Sequence, residues 1–386
     1  MGIKDKFIKK IYAELQQYKK LYGDKESREN SKLEICSCIY EILISSADEF
    51  SDMLLMNLVN QSTNILESIF VSGTTKSHKG SKDRELIRIG QEEAHIRVLL
   101  TKNDISHRID MHLRKNKPKG IAIDGIPIRR SSELMGLINI IFFSPEDLKI
   151  VKNGPSERRR FINMELSQLD HVYLHDLGEY NKILNQRNKL LKQIYYNPSL
   201  KDTLEIWDEQ LLDYGCRLIR RRREFVEQLK EIVYHINQKL TGGREQLSVR
   251  YEPDAGENEF EKKIKDNTEK DLRFMTTNVG PHRDDLSFFN GDVDLRKYGS
   301  QGQQRTCALS LKLAEIELVR QLIHDQPILL LDDVLSELDR NRQNYLLDSI
   351  QDTQTIITCT GLEEFIDGKL TLDRVFRVVD GTIRVE

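Results

Sequence analysis

The chain has 386 residues, 38% hydrophobic and 31% charged, with a formal net charge of -3. That length exceeds one ordinary core and suggests two lobes or a domain carrying a large insertion, and no apolar run approaches the length of a membrane span. A near-neutral balance means that any polyanionic partner must be met by a local basic patch.

Met1 to Lys20 is charged throughout and lacks an apolar centre, so no signal or transit segment is read and a cytoplasmic chain is expected. Residues 1–62 read as a divergent, mostly helical N-terminal segment. Ile8, Ile11, Tyr12, Leu15, Tyr18 and Leu21 recur at helical spacing, and Ile35, Ile39, Ile42 and Leu43 continue it. The five cysteines, Cys36, Cys38, Cys216, Cys307 and Cys359, are scattered and odd in number, which favours reduced thiols over a disulfide framework. Cys36-x-Cys38 lacks the second pair that a zinc site needs.

From His95 the apolar period becomes two, through Ile96, Val98 and Leu100, then Ile105, Ile109, Met111 and Leu113, then Ile121, Ile123, Ile126 and Ile128. This is a β-meander, with turns expected at Asn103-Asp104, at 116–120 and at Asp124-Gly125. Residues 138–143 form a further strand, stopped by Ser144-Pro145. Residues 161–269 read as a helical arm and connector. Leu204, Trp207, Leu211, Tyr214, Leu218, Phe225, Leu229 and Ile232 make its seam, with Arg221 the polar member. Thr241-Gly-Gly243 ends the arm, and 252–269 is expected as a loop or short helix.

The last lobe alternates helix and strand. Leu309, Leu313, Ile316, Val319 and Ile323 share one helix side, 327–331 is an apolar strand buried on both faces, 355–359 is another strand, and 374–386 closes as a hairpin around Asp380-Gly381. Strand-helix-strand order implies a parallel α/β sheet.

Two strings carry chemistry. The apolar run 327–331 ends in Asp332-Asp333 and is followed by Ser336-Glu-Leu-Asp339, which places carboxylates at the carboxyl edge of a parallel sheet. One such group can hold Mg²⁺ and the next can orient a water. Upstream, Tyr298-Gly-Ser-Gln-Gly-Gln-Gln-Arg305 opens a helix. Gly299 and Gly302 free the backbone, Ser300 supplies a hydroxyl, and the helix amino end offers unpaired N–H groups to an anion. Either string alone also fits a plain turn or a serine N-cap.

Basic groups that could meet phosphates are Arg114, Lys115, Lys117 and Lys119 at an expected hairpin tip, Arg129-Arg130, 158–160 and 220–223; the last is balanced by Glu224 and Glu227. No histidine spacing marks a metal site: His78 and His95 belong to different elements, and His107 and His112 fall an odd number apart on an extended run. His282 and Arg283 fit either a nucleotide edge or a structural ion pair.

Taken together, Ser300-x-Gly302-Gln303-x-Arg305 before a helix, the strand ending Asp332-Asp333, and Ser336-Glu-Leu-Asp339 resemble the signature loop, Walker B strand and D-loop of ABC-type ATPases of DNA repair. With Thr276-Thr-Asn-Val-Gly-Pro-His-Arg-Asp-Asp285, Ser144-Pro-Glu-Asp-Leu148 and Gly154-Pro-Ser-Glu-Arg-Arg-Arg-Phe161, the chain resembles the RecF family from about Thr63 onward. The resemblance implies an α/β ABC-type ATPase head, a mixed sheet plus β-meander assembled from 63–160 and 270–386, with 161–269 as the inserted arm. Asp332 and Thr63 would hold Mg, Asp333 would stand at the catalytic carboxylate, and Ser300, Gly302 and Gln303 would touch the ATP γ-phosphate held by an opposite subunit. Expected partners are single-stranded or gapped duplex DNA, a second copy or an intact homologue, and RecO- and RecR-like proteins, with no membrane.

The departure is at the front. A P-loop needs Gly-x4-Gly-Lys-Ser/Thr, so that amides wrap the phosphates and lysine bridges them. The corresponding stretch 56–63 keeps Thr63 but has Gln61-Ser62 where Gly-Lys would stand. The resemblance therefore does not carry autonomous ATP hydrolysis. It leaves open a non-enzymatic DNA-binding or interaction subunit that completes a partner's ATP site in trans.

Overall fold

The computed structural model describes residues 41–44, 53–57, 62–102, 105–359, 374–379 and 382–385, with side chains over 65–102, 105–359 and 374–376. Strands β1 (Glu41–Ile44) and β2 (Met53–Asn57) precede helix α1 (Ser62–Thr74). The meander follows as β3 (Glu93–Lys102), β4 (Ile105–Arg114), β5 (Lys117–Ile123) and β6 (Ile126–Pro127). Then come β7 (Ile140–Phe143), α2 (Leu148–Lys152) and α3 (Pro155–Leu169). The arm is built from α4 (His171–Tyr196) and α5 (Leu204–Thr241), followed by β8 (Leu247–Glu252) and α6 (Glu257–Phe274). The chain returns through β9 (Asp285–Asn290), β10 (Val293–Asp294), α7 (Leu295–Tyr298) and α8 (Gln301–Ile323). It ends with β11 (Ile328–Asp332), α9 (Arg340–Ser349), β12 (Thr355–Cys359), β13 (Arg374–Val379) and β14 (Thr382–Val385).

The main sheet has six strands in the order β14-β13-β2-β12-β11-β7. Every pairing is parallel except the closing β13–β14 hairpin. Its central strands are apolar on both faces because both are covered. Ile140, Phe142, Ile328, Leu330 and Ile356 pack toward α1 and the meander, while Ile141, Phe143, Leu329, Leu331 and Ile357 pack beneath α8 and α9. The meander forms a five-stranded sheet, β1-β3-β4-β5-β6, and β10-β9-β8 form a third, antiparallel one.

Several sequence expectations need correction. Ile42 and Leu43, expected on a helix, lie in β1, where they pair in parallel with Val98 and Leu99; three consecutive apolar residues in a four-residue strand are too few to declare a period. Residues 53–57, also within the stretch expected to be mostly helical, form β2 in the middle of the main sheet; the remainder of that reading up to residue 61, the Cys36 and Cys38 pair, and the turns at Asn103-Asp104 and Asp380-Gly381 lie outside the described residues. The turn expected over 116–120 is shorter, because β5 begins at Lys117. Pro118 is tolerated in that strand since β6 pairs only with Ala122 and Ile123, leaving the start of β5 as an edge. The stretch expected as a loop or short helix over 252–269 is instead most of α6, and β8 and β9 escaped notice beside it.

Within the arm, the seam residues Leu204, Leu211, Leu218, Phe225 and Leu229 are buried as their spacing requires. Arg221 leaves the seam and pairs with Asp170. At Gly215 α5 packs tightly: a Cβ there would stand 2.3 Å from the Phe260 ring of α6. Gly215→Ala is therefore expected to cost about 1–3 kcal/mol by overpacking, seen as a lower denaturant midpoint at unchanged slope. A midpoint equal to that of the parent would show that α6 gives way freely.

Candidate functional site

At the carboxyl edge of the main sheet the ends of β2, β12 and β11 lie side by side, with Asp332 in register with Thr358 and Thr358 with Met56. Open α/β sheets bind ligands at this edge, where loops leave the strands. The Thr358 hydroxyl donates to Asp332 Oδ1 at 2.9 Å, which fixes that carboxylate at the strand end. The next residue, Asp333, has φ of +52°, a left-handed conformation uncommon outside glycine. Its amide is held by the Thr358 carbonyl at 3.1 Å and hydroxyl at 3.2 Å. Its Oδ1 is buried and unpartnered, an orphan that a water, a metal-bound ligand or a substrate group would satisfy. Burial and the neighbouring Asp333 charge push the Cys359 thiol up to about 11, so that cysteine stays protonated near neutral pH.

After the strand, Ser336 donates to the Asp333 carbonyl at 2.8 Å, closing the turn. Asp339 then caps α9, accepting from the Asn341 and Arg342 amides at 3.1 Å each. Those amides, led by that of Arg342, hold its carboxyl below the usual range.

Ser300 caps α8 in a reciprocal arrangement. Its hydroxyl accepts from the Gln303 amide at 3.3 Å, and the Gln303 side chain accepts from the Ser300 amide at 3.0 Å. Ser300 and Gly302 are exposed. A Cβ on Gly302 would meet nothing nearer than the Ser300 hydroxyl at 4.0 Å, so the first turn of α8 presents open backbone to solvent. Gly299 does different work from the backbone freedom expected of it: a Cβ there would stand 2.7 Å from the Leu295 carbonyl, so the glycine serves packing on α7.

Two residues without a motif join these corners. Arg342 reaches from Asp339 to the Thr306 hydroxyl at 2.6 Å, tying α9 to the first turns of α8, and Arg305 faces Glu337 at 3.7 Å. Neither Thr306 nor Arg342 gave a signal in the sequence, because the contact spans separate elements.

The stretch corresponding to a P-loop lies between β2, which pairs with β12 and β13 in the sheet, and α1. Residues 58–61 and the Thr63 side chain lie outside the described residues.

The basic residues separate into groups. Arg129, Arg130 and Lys117 are exposed. Lys115 pairs with Glu92 at 2.9 Å, and Arg114 donates to the Pro118 carbonyl at 3.2 Å. Lys119 does not stand at a hairpin tip: it points inward from β5 to Asp83 at 2.9 Å and to the Thr75 carbonyl. Arg158 is buried against Asp285 at 2.6 Å. Arg220 and Arg223 pair with Glu257, at 2.9 and 2.5 Å, rather than with Glu224 and Glu227. Histidine 282 is structural. Its ring hydrogen-bonds the Tyr180 hydroxyl at 2.7 Å and the Thr277 carbonyl at 3.1 Å, and burial lowers its pKa. His78 stacks on Phe142 with centroids 4.1 Å apart, and burial pushes its pKa down to about 3, the mark of a neutral core imidazole.

Among known proteins, no family model matches the chain. It is 60% identical over 344 residues, 89% of its length and 96% of the relative's, to the DNA replication and repair protein RecF of Lachnoclostridium phytofermentans. It is 58% identical over 346 residues, 90% of its length and 96% of the relative's, to the protein of the same name from Agathobacter rectalis. Among solved structures, that of the recombination mediator protein RecF-ATP in the RecFOR pathway superposes with a TM-score of 0.81 at 34% identity, covering 87% of this chain and 91% of that one.

Proposed function

This chain belongs to the RecF family, and we propose that it serves DNA replication and recombinational gap repair as an α/β ABC-type head with an inserted arm, binding single-stranded or gapped duplex DNA. The observation that carries the reading is that two corners stand on elements of one core, α8 and β11: the open first turn of α8 at Ser300, Gly302 and Gln303, and the Asp332-Asp333 strand end with its orphaned carboxylate oxygen. RecF-ATP is a relative's state, and ATP is the nucleotide we assign to this site.

ATP, with Mg, would supply a triphosphate at this sheet edge when bound. Asp332 and Thr63 would hold the metal, and Asp333 would orient a water. Ser300, Gly302 and Gln303 would face the γ-phosphate of a nucleotide held by another copy, through backbone N–H groups and the helix dipole. Ser336 and Asp339 shape the turn beside it. Gln61-Ser62 in place of Gly-Lys favours a second reading, in which this chain completes the site of an intact homologue and hydrolyses nothing alone. RecO- and RecR-like proteins are the further partners we assign. Lys117, Arg129 and Arg130 are the exposed cations we assign to phosphate contact, with Arg114 and Lys115 at the same turn. No helix among the described residues is long and apolar enough to cross a membrane, and we place the chain in the cytoplasm.

Fluorescence anisotropy with a gapped duplex tests the DNA reading. Binding is expected to fall linearly in log K against log salt, with a slope of about -0.9 per phosphate neutralised. Replacing Lys117, Arg129 and Arg130 with alanine should flatten that slope. A triple variant with the parent's slope and affinity moves the contact elsewhere, and no binding at low salt ends the reading.

A further inference from the structure

The meander carries a cluster that neither the nucleotide site nor the basic turn uses. Glu93 and His95 are two residues apart on β3 and so share a face, and His112 is directly opposite His95 on β4. This is why the histidines give no sequence signal: the spacing that matters runs across the strand pair. Alternation puts these residues on the outer face, since Ile96, Val98, Met111 and Leu113 occupy the inner one. On the far side of His112 the register partner is Gly120 of β5, which offers no side chain to compete for that space.

The donor atoms converge. The two imidazole rings stack with centroids 4.1 Å apart and planes 20° from parallel. Both Nε2 atoms face the same carboxylate, that of His112 at 2.8 Å from Glu93 Oε2 and that of His95 at 3.9 Å from Oε1. One ligand atom from each residue lies within 4.8 Å of the others. Two ligands of a tetrahedral ion at about 2.1 Å stand about 3.4 Å apart, so small rotations of these solvent-facing side chains close the set.

We propose that Glu93, His95 and His112 form a surface site for a borderline divalent cation of the zinc or cobalt type. Two imidazoles and one carboxylate suit such ions, and three protein ligands leave a coordination position open to water or to an anionic group. Partial burial, then the neighbouring His112, lower the His95 pKa. The hydrogen bond from His112 lowers the Glu93 pKa. Arg97 is the other cation near His95, and opposes a second positive charge there. The ion is therefore bound by directed ligand bonds rather than by net field.

Titration of the full chain with Co(II), followed by its visible d–d absorption, and displacement by Zn(II) test the site. The expected result is one equivalent of tetrahedral cobalt that disappears in His95→Ala/His112→Ala, with an unchanged thermal midpoint because both side chains reach solvent. Binding should also fade as pH drops through the imidazole range. The proposal is overturned if the double variant takes up the same equivalent, if the bound cobalt shows a thiolate charge-transfer band and survives the variant, or if the parent binds none.

Discussion

Replacing Arg222 with alanine is expected to remove about 3–5 kcal/mol of stability, the cost of leaving a buried carboxylate without its partner. Arg222 and Asp284 are each 2% exposed at the side chain and meet at 2.7 Å. The guanidinium also donates to the Pro281 carbonyl at 2.6 Å, the Asn163 side chain at 2.8 Å and the Tyr173 hydroxyl at 3.0 Å. Asp284 in turn accepts from the Asp254 amide at 3.0 Å and from Tyr251. One ion pair thus gathers α3, α4, α5, β8 and the string that leads into β9. Burial pushes the Asp284 carboxyl up and Arg222 pulls it back, so deleting the arginine leaves the cost of burial uncompensated. Denaturant melts of Arg222→Met and of Arg222→Met/Asp284→Asn separate pairing from packing. The double variant should recover a large part of the loss, because no lone charge remains. An Arg222→Ala protein with the parent's midpoint would mean that water enters and solvates Asp284.

That network explains which parts of the molecule could be read in advance. The parallel strands 140–143, 328–332 and 355–359 announce themselves, since burial on both faces forces consecutive apolar residues. The meander is equally plain, because one face is buried and the other is wet. The string 276–285 could be recognised but not interpreted. Its glycine, proline, histidine and acids look like a ligand loop, yet Gly280 has φ of +132° with Tyr180 and Phe260 against it, His282 is half-buried and hydrogen-bonded on both ring nitrogens, and Asp284 closes the arm. A residue's type does not reveal a partner that lies over a hundred positions away, as Asp285 does from Arg158. The same limit hid the tie from Arg342 to Thr306, the inward turn of Lys119, and the histidine pair across β3 and β4. Ser300 is legible as an N-cap because capping is local, and the structure adds Gln303 as its reciprocal partner within one turn.

Gly302→Asp is expected to leave the fold intact and strongly weaken nucleotide-dependent association. Space is available, since an added Cβ meets only the Ser300 hydroxyl at 4.0 Å. A carboxylate in the first turn of α8 complements the helix dipole, and removing a helical glycine lowers the entropy of the unfolded chain, so the thermal midpoint should hold or rise. The same carboxylate would face the γ-phosphate of a nucleotide held by another subunit, and opposed like charges cost several kcal/mol. Mixed with an intact homologue and Mg-ATP, the parent chain should form a heavier species by light scattering. The variant should need about a hundredfold more protein to do so, while gapped-DNA binding by the isolated chain stays at the parent's level. This contrast tests the trans role we propose for α8, because the substitution touches neither the Asp332-Asp333 corner nor the exposed cations. A variant that assembles as readily as the parent would remove Gly302 from the subunit junction.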